Sequence, residues 1–299
     1  MMTRRELLKL GTGATLAAGL APVTRLFAQL PAGKSALAIH SYTSGEPAAM
    51  SNSYLVSGDK EAFLFDVVQM RHEAQAVVEM IQRSGKELRF VWISHAHPDH
   101  FLGLDVIADA FPHVPIYSTE GVVADIGSDG PGLVKVLAQR WGADGPRRLV
   151  LPTIFDGGRL TLEGAGIDIH TFSNGESRHL ANLHLVDTRQ MLTADIVYNR
   201  THLFLREKHI EGWLAQLERF EEFAAKNLGA LYPGHGHPGT VEMVTQTRRY
   251  LEEFRTALAL DDPIKVRDAM LAKHADYSMA RLLTDYTIPA FFPNAPTSQ

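Results

Sequence analysis

His95-Ala96-His97-Pro98-Asp99-His100 sets three imidazoles and a carboxylate within six positions. In an extended chain, side chains two residues apart project to the same side, so His95 and His97 can reach one cation together. Pro98 turns the chain, and Asp99 and His100 then face a different direction, where they can serve a second cation close to the first. Two distant stretches offer more ligands. Leu192-Thr193-Ala194-Asp195 ends in an acid able to bridge two cations, and Leu231-Tyr232-Pro233-Gly234-His235-Gly236-His237 holds a histidine in a glycine-rich loop. A pair of divalent cations held this way makes a shared hydroxide nucleophilic near neutral pH and polarises the bond under attack. Asp99 is placed to take up and return a proton.

Such side chains need strand ends and short loops to present them. Ser35–Thr43, Ser51–Ser57 and Ala62–Val68 read as successive strands, Arg71–Arg83 as a helix with apolar residues at helical spacing, and Leu88–Ser94 as the strand feeding the histidine segment. A helix over Phe101–Ala110 and a strand over Val114–Ser118 follow. The Gly-Ser-Asp-Gly-Pro-Gly stretch at 127–132 and Ala143-Asp144-Gly145-Pro146 have turn chemistry. Beyond them lie strands over Arg159–Leu162, Ile167–Phe172, Leu183–Val186 and Gln190–Thr193, then helices over Leu214–Ala225, Val241–Leu258 and Pro263–Lys273. Strand-rich material on both sides of about residue 145 predicts two packed halves of one α/β domain over residues 36–299. Trp92, Trp141 and Trp213 sit in apolar-periodic segments and read as core. The proline-bearing tail from Ile288 reads as lying over the surface or fraying.

Composition narrows the chemistry further. The chain has 299 residues, 29 basic against 34 acidic side chains, 14 histidines and no cysteine. No basic run tracks a phosphate backbone, so nucleic acid is not an expected partner. Without thiols, any metal is held by His, Asp and Glu. Arg4-Arg5 ahead of the Gly- and Ala-rich apolar stretch Leu10–Val23 resembles a twin-arginine export signal over residues 1–28. The uncharged stretch is shorter than the ~20 residues of a spanning helix, so no stable membrane insertion of the mature chain is expected. Cleavage after Ala28, rather than after Ala21 with Pro22 following, removes four basic residues and one acid and takes the net charge from −5 to −8. The expected location is periplasmic or secreted.

From the Asn52-Ser53-Tyr54-Leu55 strand and Asp66, through His-x-His-x-Asp-His, to the Pro-Gly-His-Gly loop, residues 36 to 240 resemble the metallo-β-lactamase superfamily. The resemblance implies a four-layer αββα sandwich with the metals at one edge. It also implies a Gly-His-Thr or Gly-His-Ser turn nineteen residues before the bridging acid, where this chain has Gly175-Glu176-Ser177. Glu176 is thereby assigned as a carboxylate in place of the third histidine, as in the alkylsulfatases of the superfamily, with His179 as its rival. The metal set is then His95, His97, Asp99, His100, Glu176, Asp195 and His235, for zinc first and manganese or iron as alternatives. The extra carboxylate should leave the bridging water less acidic and anions less attracted. Glu176→His is expected to move the rise of the pH–rate profile to lower pH, and a rise that stays put contradicts this role.

Tyr198, three residues past Asp195, matches the Asp-x-x-Tyr of lactonases in the superfamily, which would aim its phenol at substrate; simple packing is the other reading. His202 is either a substrate contact on a loop at the metal edge or a surface histidine, and His237 is a supporting or solvated loop residue. The leading function is an exported dinuclear hydrolase of a small ester, lactone or related bond. A β-lactamase, an iron-dependent oxidoreductase of sulfur-dioxygenase type and a non-catalytic metal module are the alternatives. Substrate and oligomeric state are not encoded in any motif of the chain.

Overall fold

The computed structural model describes residues 37–293, so the export signal over 1–28 and its cleavage point lie outside the described residues, as does 294–299. Two sheets form among the described residues. The first has six strands in the order β1 (Ala38–Thr43), β2 (Asn52–Ser57), β3 (Glu61–Phe65), β4 (Glu87–Trp92), β5 (Ile116–Ser118) and β6 (Thr153–Ile154). β1 to β3 are antiparallel, and β3 to β6 run parallel because helices connect them. The second sheet pairs β7 (Arg159–Leu162), β8 (Ala165–Ser173), β9 (His179–Leu185) and β10 (Gln190–Ala194) antiparallel and adds β11 (Ala230–Pro233) parallel to β10.

The helices are α1 (Arg71–Ser84), α2 (Pro98–Phe101), α3 (Leu104–Ala110), α4 (Glu120–Trp141), α5 (Ile210–Asn227), α6 (Glu242–Leu258), α7 (Pro263–Lys273) and the single turn α8 (Ile288–Phe291). They flank the sheets in an αββα sandwich. α1 buries Ala74, Val77, Val78 and Ile81, one face at helical spacing. α5 does the same with Trp213, Leu217 and Phe220, Phe220 meeting Phe172 of β8 edge to face. The sheets are stitched where their inner faces meet: Trp92 Nε1 donates to the Ala181 carbonyl at 3.0 Å, and Tyr54 Oη donates to the Pro233 carbonyl at 2.6 Å. No helix of the described residues is long and apolar enough to cross a membrane.

Two sequence expectations are corrected, and the described part of the tail follows the surface-lying one of its two readings. The 127–132 stretch is not a turn but the middle of α4, with Pro131 inside the helix. Burial of Val122, Val123 and Ile126, and the seating of Gly130 against Leu149, outweigh the local glycine and proline penalties, and the carbonyl that Pro131 cannot bond belongs to exposed Gly127. The tail does not fray at Ile288. α8 docks through Phe291 on Phe254, ring centres 5.2 Å apart, and Thr287 just before it accepts from the Leu205 amide at 2.9 Å. Trp92 and Trp213 are core, but Trp141 is only partly buried and lines a cleft.

Candidate metal centre

Strand ends build the site. β4 stops at Trp92, and the next residues carry the first histidines across to the second sheet: Ala181 N donates to the Ser94 carbonyl, and His95 bridges to Leu180. α2 begins at Pro98, whose ring fits the first helical turn, and this turn brings the His100 ring to 4.4 Å from that of His95 while Asp99 joins His100 and His235. The register of β10 against β11 slips between Leu192 and Ala194, and Ala194 takes a left-handed φ of 40°. A bulge with one strained residue at a strand end re-aims the side chain after it, here Asp195.

Three overlapping groups of ligand atoms result, one of them Asp66, His95 and His100. His95, His97, Glu176 and Asp195 each offer an atom within 4.8 Å of the others, and Asp99, His100 and His235 form a second such group. Asp195 joins them: Oδ2 lies 3.9 Å from His95 Nε2 and 3.2 Å from His235 Nε2, while Oδ1 lies 3.5 Å from His100 Nε2. All seven predicted residues are therefore in one place. Between the rivals, Glu176 is the one in the cluster, its Oε1 3.1 Å from His97 Nδ1. His179 stands apart on β9, its side chain 47% exposed and Nδ1 2.9 Å from Asp125 Oδ2.

The far nitrogen of each ring is already committed. His95 Nδ1 donates to Ser94 Oγ at 2.8 Å, which in turn donates to Asp66 Oδ2. His100 Nδ1 donates to Asp66 Oδ2 at 3.0 Å, and His235 Nδ1 donates to the Ala49 carbonyl at 2.9 Å. His97 Nε2 donates to Glu207 Oε1 at 3.2 Å, so His97 faces the cluster with Nδ1 and the others with Nε2. On the cluster side, His95 Nε2, His100 Nε2, Glu176 Oε2 and Asp195 Oδ1 are buried without a hydrogen-bond partner. Each such orphan costs about 1–3 kcal/mol unless something satisfies it. Imidazole lone pairs and carboxylate oxygens converging around the gaps fit divalent cations.

The charges agree. Burial disfavours the Asp99 and Asp195 carboxylates, but the neighbouring His100 and His235 imidazoles outweigh it and hold both acids below the ordinary range. Burial likewise works against a proton on His235, yet Asp195 and Asp99 raise it to about 10. His97 and His100 are raised by the same kind of pairing against burial, whereas burial beside His100 and His97 pushes His95 down. Glu176 rises to about 7, chiefly through burial. These directions predict that removing cations leaves extra protons on His97, His100, His235 and Glu176.

Tyr198 is in the cleft wall beside the cluster. It is buried, donates to Asp195 Oδ2 at 2.7 Å, lies 3.3 Å from Glu176 Oε1 and stacks on His235. His202 corrects both of its readings: it is 1% exposed, is not part of the cleft wall, and meets Tyr250 Oη through Nδ1 at 2.8 Å with His274 and Tyr277 around it. Burial, with His274 adding, pushes it down to about 4. His237 is exposed.

Glu207 is the site residue that sequence reading passed over, because no spacing links it to His97, 110 positions away. Burial would raise its pKa, and His97 overrides this and lowers it. Glu207→Gln is expected to weaken metal binding by about 10- to 100-fold, the usual cost of losing a carboxylate behind a ligating histidine; competition with a chromogenic chelator measures it. Gly234, named in the sequence as part of the Pro-Gly-His-Gly loop, has a steric role that only the structure shows. A Cβ there would collide with Asp195 Oδ1 and come within 2.8 Å of His100 Cε1. Gly234→Ala is expected to lower metal content and activity together by about tenfold or more while the melting temperature of the metal-free chain falls by only a few degrees.

An αββα sandwich with histidines and carboxylates converging at one end of its strands defines a metallo-hydrolase type of fold. Residues 47–235 match the family model of the metallo-beta-lactamase superfamily, and the chain belongs to that superfamily. A probable metallo-hydrolase of Streptococcus pyogenes serotype M6 is 24% identical over 204 residues, covering 64% of this chain and 82% of that one. An uncharacterized protein of Bacillus subtilis is 32% identical over 69 residues, 23% of this chain and only 29% of its own length. Among solved structures, DIM-1 metallo-beta-lactamase superposes with a TM-score of 0.57 at 16% identity, covering 75% of this chain and 96% of that one. A metallo-beta-lactamase from Pontibacter korlensis gives 0.56 at 15%, covering 75% and 98%.

Proposed function

We propose that the chain is an exported hydrolase that uses two divalent cations, zinc first among them, to cleave a small ester, lactone or related bond. The carrying observation is Asp195, whose Oδ2 lies between His95 of one group and His235 of the other while its Oδ1 faces His100, with buried ligand atoms on both sides unpartnered. Cations bound there supply Lewis acidity and an acidified water. The chain's own residues then have distinct tasks. His95, His97 and Glu176 would hold one cation, Asp99, His100 and His235 the other, and Asp195 would contribute to both. Asp99, at the cleft wall, holds and returns a proton during bond cleavage. Tyr198 fixes Asp195 and Glu176. Three carboxylates in the set keep manganese and iron in competition with zinc. The paired arginines and the apolar stretch at the N-terminus support export to the periplasm or beyond.

Metal analysis of purified protein, a panel of chromogenic esters, lactones, β-lactams and sulfate esters, and an oxygen electrode test this reading. Zinc with ester or lactone turnover and no oxygen uptake is the expected result. Iron with oxygen uptake overturns it in favour of oxidation, and bound metal with no turnover of any probe makes the chain a metal-binding module.

A further inference from the structure

We infer that the substrate is an anionic amphiphile: a compact molecule with an apolar body and one anionic group remote from the bond that is cut. This rests on the hydrolase reading and names the substrate class of that same site. A cleft of about 240 Å³ has His97, Asp99, Asp195 and His235 in its wall, so a molecule filling it touches the metal centre. That volume lies below the usual ~300–1,000 Å³ of ligand sites, which limits the occupant to a small molecule.

One face of α4 forms another part of the wall. Leu133, Val136, Leu137, Arg140 and Trp141 recur at three- and four-residue spacing, and the loop before α5 adds Phe204 and Arg206. Val136 is 58% exposed, an apolar side chain left without cover where the cleft opens. The arginines decide the charge of the occupant. Arg281, also in the wall, is spoken for: its Nε donates to Asp285 at 3.0 Å, and Glu46 of the same wall adds to its pairing. Arg140 and Arg206 are exposed and have no hydrogen bond or ion pair with any described residue. Two unpartnered guanidinium groups over an apolar wall, in a chain of net charge −5, match a carboxylate, sulfate or sulfonate on an apolar stem. The three carboxylates of the centre offset most of the charge of two divalent cations, which weakens its hold on an anion and favours the rim for that role.

Quenching of Trp141, which is in the wall while Trp92 and Trp213 are core, reads binding directly on the metal-loaded protein. Octanesulfonate, a poor metal ligand, is expected to bind at least about tenfold tighter than octan-1-ol, and Arg140→Gln with Arg206→Gln together to reduce that preference to under about threefold. The same double variant should collapse the KM preference for the mono-p-nitrophenyl ester of hexanedioate over p-nitrophenyl hexanoate. Equal affinity for the two octyl probes, or a preference that survives in the double variant, overturns the inference. Sulfonate preference without turnover of any ester supports the cleft assignment and overturns the hydrolase reading instead, so the two failures are distinct.

Discussion

Asp195→Asn is expected to abolish turnover, by about a thousandfold or more, and to reduce bound metal from two per chain toward one or none. The substitution conserves shape, and the amide can still accept from Tyr198, which now reaches Asp195 Oδ2 at 2.7 Å. What it removes is the charge that lies 3.9 Å from His95 Nε2 of one group and 3.2 and 3.5 Å from His235 Nε2 and His100 Nε2 of the other. An amide oxygen can ligate one cation but cannot offset two, and its NH₂ would face imidazole nitrogens already turned toward the gap. Glu176→Gln, at the edge of one group only, should cost the first cation more than the second. Metal content by mass spectrometry and kcat/KM on the best ester measure both effects. Two tightly held metals and near-normal turnover in Asp195→Asn would remove the basis for a shared centre.

Stripping the metals should convert the site into a source of alkaline instability. His235, raised from about 6.5 to about 10, stabilises the fold fully below pH 6.5, and this contribution is lost as pH rises through 10. His97 and His100, both raised, act in the same direction. Glu176 holds its proton in the fold up to about 7, so stability also declines from about 4.5 to 7 as the unfolded chain sheds that proton first. His95, lowered, acts the other way, but only below 6.5. Asp99 and Asp195, both lowered, contribute above the ordinary carboxylate range and lose that contribution in acid. The metal-free chain is therefore expected to melt highest near pH 6 and to lose on the order of 10 °C by pH 10, while the metal-loaded chain falls much less. Metal binding at pH 7 should release about two or more protons, measured by calorimetry in buffers of different ionisation enthalpy. Parallel melting curves for the two forms, with no proton release, contradict this electrostatic account.

The ligand set was legible in the chain because much of it is local. Two histidines at period two after a strand, a proline opening the turn that carries the next two ligand types, and an acid and a histidine closing two later strands are properties of neighbours in sequence, although only the packing of the two sheets brings the three stretches together. Two strand-rich packed halves were legible from strand and helix periodicity, and the αββα sandwich from the superfamily resemblance of the motifs. Choosing between Glu176 and His179 was different. Three residues along a turn entering β9 separate burial between two sheets from a 47% exposed surface pair with Asp125, and only the packing of the sheets decides which lies inside. Glu207 behind His97, Gly234 beneath Asp195, the burial of His202 by Tyr250 and His274, and the exposure of Trp141 all rest on contacts between residues remote in the chain. The helix through Pro131 shows the same limit from the other side: glycine and proline set a local preference of about a few kcal/mol, and side chains buried against distant elements outweigh it. Sequence determined which chemistry the site can do, because ligand type and spacing are covalent facts. Tertiary structure decided which atoms face the gap and what shape and charge the cleft above it presents, because those depend on burial.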